Sequence, residues 1–322
     1  MATLGTYPTP VQRLEPLSTT KTSLWIKRDD LTHPVYGGSK LRKLGRLLED
    51  ARELGATRLV TVGAVGSHHV LCTGIFGKFA GFEVQALVLP QPRSPHVLDT
   101  LRASIGRGVQ LVPVESYAEA ARHLAASAAN GAYAISAGGS SRLGTLGILE
   151  AATELAEQVR AGVLPEPDLL VVALGAGGTV GGLVAGLAQA QLRTRVLAVA
   201  VTEPVKVFAH KARALAKELV DDALRPHVLQ RLELERRYLG PGYGYATAAG
   251  QHATREAARV GLSLDATYTA KAFAAALDRV ALGQERHILF WHTLSSAPLA
   301  PLLVDAPPES ELPDELRRLM RE

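Results

Sequence analysis

The sequence predicts an α/β protein of two domains built on parallel-rich sheets. Three observations carry that reading: the chain length, the alternation of short apolar strands with helical segments, and glycine-rich turns where strands hand over to helices. At 322 residues the chain exceeds the size at which a single hydrophobic core keeps growing. It is 47% hydrophobic and 20% charged, a balance that folds rather than staying extended in solvent. With 35 Lys and Arg against 31 Asp and Glu, the formal charge is only +4. The basic residues are not gathered into a stripe with aromatics, so no nucleic-acid partner is expected.

Taken in order, Ser23–Lys27 reads as a short strand, followed by a helix from about Lys40 to Ala51 and a strand at Arg58–Val62. An apolar helix from about His68 to Phe79 precedes the strand Glu83–Leu89. A helix after Pro95, the strand Val109–Val114 and a helix over Tyr117–Ala128 complete the first series. The second series starts after Gly138-Gly139-Ser140-Ser141. It has a helix at Gly147–Val159, the fully apolar strand Leu169–Leu174, a helix at Gly181–Ala190 and a strand at Val196–Val201. Further on, Ala270–Ala281 reads as helix and His287–Trp291 as strand. Repeated strand-helix-strand crossovers make parallel sheets covered on both faces. The division is interrupted: 1–49 and 141–322 form the larger domain, 50–140 a smaller inserted one, with the active site expected between them.

The amino terminus lacks the basic and apolar blocks of a secretion signal, and no stretch reads as a membrane span. A cytoplasmic protein without a membrane partner is the expectation. The single cysteine, Cys72, lies in an apolar helical run, which reads as core and excludes an internal disulfide scaffold. The charged tail from Pro307 to Glu322 reads either as a packing helix or as a partner-binding end.

The segment Gly37-Gly38-Ser39-Lys40-Leu41-Arg42-Lys43 is the most informative. Ser39 is placed to cap a helix whose first-turn N–H groups point at the glycine turn, a setting for an anion. Lys40 is then an imine-forming amine, and Lys43, one turn on, neutralises a phosphate oxygen. The plain alternative is a basic amphipathic helix with solvated amines.

Gly175, Ala176, Gly177, Gly178 and Thr179 follow the apolar strand and precede a helix, so several N–H groups and the Thr179 hydroxyl can hold an anion. The run begins like a dinucleotide-binding loop, with Glu203 as a ribose-binding acid, but Val180 stands where its last glycine belongs. Ser67-His68-His69 follows another strand-to-helix turn, where Ser67 can cap the helix and adjoining N–H groups can grip a carboxylate. Neighbouring histidines point apart on a helix, so no metal is expected. Tyr243 lies in the turn Gly240-Pro241-Gly242, and Tyr268 and Thr269 stand before the helix that follows. Tyrosine hydroxyls hold or transfer protons, or else fill the cleft as packing. Thr293, after the strand His287–Trp291, is either placed to donate to a cofactor ring or is an ordinary strand-end residue.

In sum of order and spacing, the chain resembles the fold-type II pyridoxal-phosphate-dependent enzymes, specifically the D-cysteine desulfhydrase and 1-aminocyclopropane-1-carboxylate deaminase family. The blocks that carry the resemblance are Trp25-Ile26-Lys27-Arg28-Asp29-Asp30, Gly37 to Leu44, Gly138-Gly139-Ser140-Ser141, Gly175 to Thr179, Gly240 to Gly244, and His292-Thr293. They run over nearly the whole chain. The resemblance implies pyridoxal 5'-phosphate as cofactor, bound by Lys40, with Lys43 and the loop from Gly175 to Thr179 at its phosphate. It implies Ser67 at the substrate carboxylate with His69 nearby, and Tyr243, Tyr268 and Thr269 at the amino-acid substrate. Lys40, Tyr243 and Tyr268 are the implied catalytic groups, Thr293 faces the ring nitrogen, and a homodimer is expected.

The implied reaction is α,β-elimination from a small amino acid, D-cysteine first, giving a keto acid and ammonia. β-Replacement, cyclopropane amino-acid deamination and a non-catalytic cofactor-binding protein are the alternatives. The deaminase branch carries a glutamate after its second tyrosine and usually a leucine at the late threonine. Thr269 and Thr293 therefore resemble the desulfhydrase branch. Three departures stand out: Ser39 and His68 replace asparagines, and Leu294-Ser295-Ser296 replaces a glycine pair. The asparagine that His68 replaces usually contacts the cofactor's phenolic oxygen, so His68 is expected to keep that hydrogen bond through an imidazole nitrogen.

Overall fold

The computed structural model describes residues 4–321. Its strands are β1 (Val11–Arg13), β2 (Ser23–Lys27), β3 (Arg58–Ala64), β4 (Glu83–Leu89), β5 (Gln91–Pro92), β6 (Gln110–Pro113), β7 (Tyr133–Ile135), β8 (Leu169–Leu174), β9 (Arg195–Ala200), β10 (Leu232–Glu235), β11 (His287–Trp291) and β12 (Met320–Arg321). The helices are α1 (Lys40–Glu53), α2 (His68–Phe79), α3 (Pro95–Gly106), α4 (Tyr117–Ala129), α5 (Arg142–Arg160), α6 (Gly178–Gln189), α7 (Val205–Glu218), α8 (Arg225–Gln230), α9 (Ala248–Arg259), α10 (Thr269–Leu282) and α11 (Asp314–Arg317).

The described chain divides into two compact units: residues up to Lys43 with Ser140–Ala297, and Leu44–Gly139 with the residues from Pro298 on. The boundary falls within α1. The tail departs from the expected division, which gave all of 141–322 to the larger domain. It belongs to the smaller unit because β12 pairs in parallel with β5, and Leu312, Leu316, Leu319 and Met320 are buried. Of the two readings of the tail, packing is the one observed, although as a short helix and strand.

The larger unit is a six-stranded sheet in the order β1-β2-β11-β8-β9-β10, parallel except where β1 meets β2. Every residue of β8 is buried, as its unbroken apolar run requires of a central parallel strand. One face packs Leu170, Val172, Leu289 and Trp291 with side chains of α5, α6 and α7, and the other packs Val171, Ile288 and Phe290 with α9 and α10. Each such Leu, Ile or Val contributes roughly 1.5–3 kcal/mol by leaving water. In register, Trp291 pairs with Lys27. The carboxyl ends of β2, β8 and β11 therefore deliver Asp29, Gly175 and Thr293 to one end of the sheet, where ligands of parallel sheets bind.

The smaller unit has a parallel sheet in the order β6-β4-β3-β7, with its own core of Val60, Val62, Leu87, Leu89 and Val114. Cys72 is fully buried there. Two helices begin earlier than the sequence predicts. α5 starts at Arg142 because Ser141 caps it, accepting from Gly144 N at 3.2 Å. α6 starts at Gly178 because Gly177 takes a left-handed φ of +92° and turns the chain straight from β8 into the helix. The strands β1, β5, β7, β10 and β12 and the helices α7, α8 and α9 have no counterpart among the predicted elements. No helix among the described residues is long and apolar enough to cross a membrane.

Candidate cofactor and active site

The helix start bearing the two lysines is fixed from below by a buried carboxylate. Asp29 accepts from Ser39 Oγ at 2.7 Å, Trp291 Nε1 at 2.8 Å, Thr9 Oγ1 at 3.1 Å and the Arg42 guanidinium at 2.7 Å. Burial pushes its carboxyl up, but Arg42, Ser39 and Lys27 together hold it below the ordinary carboxylate value. Arg42 also bonds Glu154 at 3.0 Å, and Glu154 pairs with the buried Lys27. The Ser39 hydroxyl hydrogen thus goes to Asp29, tying the residue before Lys40 to the strand end before Thr293. This hub escaped the sequence reading, since buried charges joined across such separations leave no local pattern.

Thr293 meets the same helix start through its backbone: its carbonyl accepts from Ser39 N at 3.1 Å. Gly38 makes the approach possible, with φ +100° and no side chain, because a Cβ there would lie 2.6 Å from the Thr293 oxygen.

Lys40 and Lys43 share one face of α1, as their spacing predicts. Lys40 Nζ lies 5.7 Å from the centre of the Tyr268 ring. Tyr268 in turn donates to the Tyr243 hydroxyl at 3.1 Å, the rings meeting edge to face with centroids 5.6 Å apart. Gly175 lies against this pair, since a Cβ there would be 3.0 Å from Tyr268 Cε1. Lys43 is buried, and its amine reaches the start of α6: a methyl group on Gly178 would sit 3.0 Å from Lys43 Nζ and 2.7 Å from Ser140 Oγ. Burial lowers the Lys43 pKa well below 10.5, and the positive charges of Lys40 and Lys211 lower it further.

The Lys43 amine thus stands at the N-terminus of a twelve-residue helix, whose partial positive charge adds to its own, and the charges of Lys40 and Lys211 act on it. Like charges assembled around a glycine-lined cradle fit a phosphate, so the residues present fit pyridoxal phosphate: Lys40 for its aldehyde, Lys43 and the N–H groups from Gly175 to Thr179 for its phosphate. Ser140, whose Oγ accepts from Gly178 N at 3.2 Å, joins this cradle, and Lys211, on α7, acts on the Lys43 amine through its charge. Both were missed as site residues. Nothing in the sequence of α7 marks Lys211, whereas Ser140 lay within a family-matching block.

The surroundings place three further residues singled out by the sequence. Thr269 is buried, accepting from Asp265 N at 2.8 Å and donating to Asp265 Oδ2 at 3.1 Å, so its hydroxyl fastens the loop before α10. Thr179 lies inside the first turn of α6 and is buried, so its backbone N–H belongs to the helix start that forms the cradle. Glu203, the ribose-binding acid of the dinucleotide alternative, instead accepts from Val205 N at 2.8 Å and pairs with Arg236 at 3.2 Å, fastening the start of α7.

In the smaller unit, Ser67 caps α2 as its sequence predicts, accepting from His69 N at 3.2 Å and Val70 N at 3.4 Å. His68 and His69 diverge. His69 is buried with Nε2 2.8 Å from Thr61 Oγ1, which donates its own hydrogen to the Ile135 carbonyl, so the ring is held from within the unit. His68 Nε2 lies 2.9 Å from His96 Nε2.

The protein-family model described as "Pyridoxal-phosphate dependent enzyme" matches residues 2–293. The chain belongs to that family. Within it, the chain is 34% identical over 303 residues to a D-cysteine desulfhydrase of Klebsiella pneumoniae, covering 89% of this chain and 91% of the relative. It is 34% identical over 324 residues to nocardicin C-9' epimerase of Nocardia uniformis subsp. tsuyamanensis, covering 95% and 96%. A crystal structure of a 1-aminocyclopropane-1-carboxylate deaminase homologue superposes with TM-score 0.79 at 30% identity, covering 93% of this chain and 95% of that one. This pyridoxal-phosphate enzyme is therefore of fold type II, related to the deaminases and D-cysteine desulfhydrases, and its cofactor is pyridoxal phosphate. The dinucleotide alternative is set aside by the same match.

Proposed function

We propose that the protein is a lyase that eliminates a β substituent from a small amino acid, with D-cysteine as the first substrate to test, releasing the leaving group and an enamine that water hydrolyses to a keto acid and ammonia. The observation that carries the reading is the Tyr268–Tyr243 hydroxyl pair standing beside the Lys40 amine at the anion cradle. When bound, the cofactor's ring accepts the electron pair left at the substrate's α carbon. Lys40 is the base for the α proton, and the tyrosine pair, joined by its 3.1 Å hydroxyl hydrogen bond, returns a proton to the departing sulfur. In this reading Ser67, at the capped start of α2, receives the substrate carboxylate. With the cofactor bound, His68 would donate to its phenolic oxygen, and Thr293 would stand at its ring nitrogen. A threonine hydroxyl would give that nitrogen a hydrogen bond without keeping it protonated as a carboxylate does, which favours elimination over reactions that develop full carbanion charge.

The D-cysteine desulfhydrase among the relatives supports this reading. The epimerase, similar over nearly the full length of both chains, supports a second one in which the α proton is removed and returned on the opposite face. Both begin with α-proton loss. The cofactor-loaded protein is assayed with both enantiomers of cysteine, β-chloroalanine and serine for keto acid and ammonia. Parallel incubations in deuterated water score label at the α carbon. Keto acid from at least one substrate supports elimination. Label and inversion without keto acid would replace elimination by epimerisation. Ring opening of 1-aminocyclopropane-1-carboxylate serves as a control expected to be far slower, because position 269 is a buried threonine rather than a carboxylate.

A further inference from the structure

In the smaller unit, the turn before α2 and the start of α3 press against each other. A methyl group on Gly66 would lie 2.8 Å from Val97 Cγ1 and 2.9 Å from Val97 Cα, and Gly66 N donates to Gln91 Oε1 at 3.1 Å. His68, first residue of α2, and His96, in the first turn of α3, are brought ring to ring by this contact. Their Nε2 atoms are 2.9 Å apart, the ring centres 4.7 Å apart and the planes inclined by 41°. Nitrogens at that distance hold one hydrogen between them, since two N–H groups meeting head to head would put their hydrogens in collision. One imidazole therefore donates from Nε2, and the other accepts there. A neutral ring that accepts at Nε2 carries its hydrogen on Nδ1.

We propose that His96 is a positioning residue that donates from Nε2 to His68 Nε2 and so holds His68 as the Nδ1–H tautomer, a hydrogen-bond donor at its other nitrogen. The proposal rests on the reading above in which His68 serves the cofactor's phenolic oxygen. That oxygen is an acceptor, so the imidazole must present a hydrogen to it. His96 is the member of the pair that can adapt: it is exposed, so its Nδ1 can accept from solvent, whereas His68 is half-buried. The asparagine usual in the family carries donor and acceptor on one amide. A histidine in that place needs an outside partner to fix which nitrogen bears the hydrogen.

The test is nitrogen-15 NMR of the holoenzyme labelled at its histidines, with the His68 signals assigned by their loss in His68→Asn. The expected pattern is a protonated Nδ1 and an unprotonated Nε2 on His68, with a protonated Nε2 on His96. His96→Ala should move the His68 hydrogen to Nε2, the form histidine prefers in water, and His96→Gln, whose amide can donate from the same place, should restore it. A protonated Nε2 on His68 in the parent protein, or a His68 pattern indifferent to His96→Ala, would overturn the proposal. The absorption of the bound cofactor separates the two layers of the inference. If His96→Ala shifts the His68 tautomer but leaves that absorption unmoved, the pair stands and the assignment of His68 to the cofactor fails.

Discussion

Replacing Lys43 by methionine distinguishes a lysine that holds an anion from one that supports the fold. The amine is buried at the start of α1, and burial, with Lys40 and Lys211 nearby, lowers its pKa well below 10.5. Burial and the neighbouring positive charges disfavour a charged amine there, and methionine fills similar space without carrying one. Lys43→Met should therefore raise the melting temperature of the cofactor-free protein, by roughly 2–4 °C for each kcal/mol of relief. It should also remove a charge-assisted hydrogen bond to phosphate, about 1.5–3 kcal/mol, weakening cofactor binding roughly 10- to 100-fold. The pH dependence has a definite sign. With the folded value depressed, the unfolded chain binds more protons between that value and 10.5, so the stability due to Lys43 rises with pH across that window and the variant loses the slope. Thermal melts of the cofactor-free protein at several pH values, with absorbance titrations of pyridoxal phosphate, read both effects. A variant that melts earlier yet binds the cofactor within about twofold of the parent would make Lys43 a structural lysine and refute the cradle.

The same site supports three further predictions. Borohydride trapping followed by peptide mapping should find the cofactor on Lys40, and Lys40→Ala should abolish trapping and lower turnover by about 10²-fold to 10⁴-fold or more; label on another lysine would reject the assignment. Gly178→Ala should weaken cofactor binding by about tenfold or more, because its methyl would lie 2.7 Å from Ser140 Oγ, while thermal stability changes by only about 1 kcal/mol as helix propensity offsets the crowding. Asp29→Ala should cost about 3–5 kcal/mol in urea denaturation by removing one partner of its buried pair with Arg42. In the parent protein the Asp29 contribution, present above the ordinary carboxylate value, should be lost as pH falls through its depressed folded value.

Much of the larger unit was legible because its signals are local. The apolar run of β8, the glycines after it and the Lys40–Lys43 spacing each state their conformation within a few residues, and they led to the α/β fold and the anion cradle. The helix starts at Arg142 and Gly178 were placed late because a serine cap and a left-handed glycine start a helix before its apolar periodicity becomes visible.

Where side chains from distant segments meet, tertiary structure alone decided the outcome. Asp29 joins Ser39, Arg42 and Trp291 only because β2 and β11 are neighbours in the sheet. Lys211 enters the field of Lys43 only through the packing of α7, and His96 meets His68 only through the contact of Gly66 with Val97. The partner of Thr269 is likewise set by the fold, which turns its hydroxyl inward to Asp265 in the loop before α10. The sequence by itself determined which backbone segments form the sheets and which glycine turns can hold an anion, because those depend on local dihedral freedom and apolar periodicity. The identity of the charges and hydrogen-bond partners around each reactive side chain was decided by the fold, since electrostatic and hydrogen-bonding partners are set by distance in space and not along the chain.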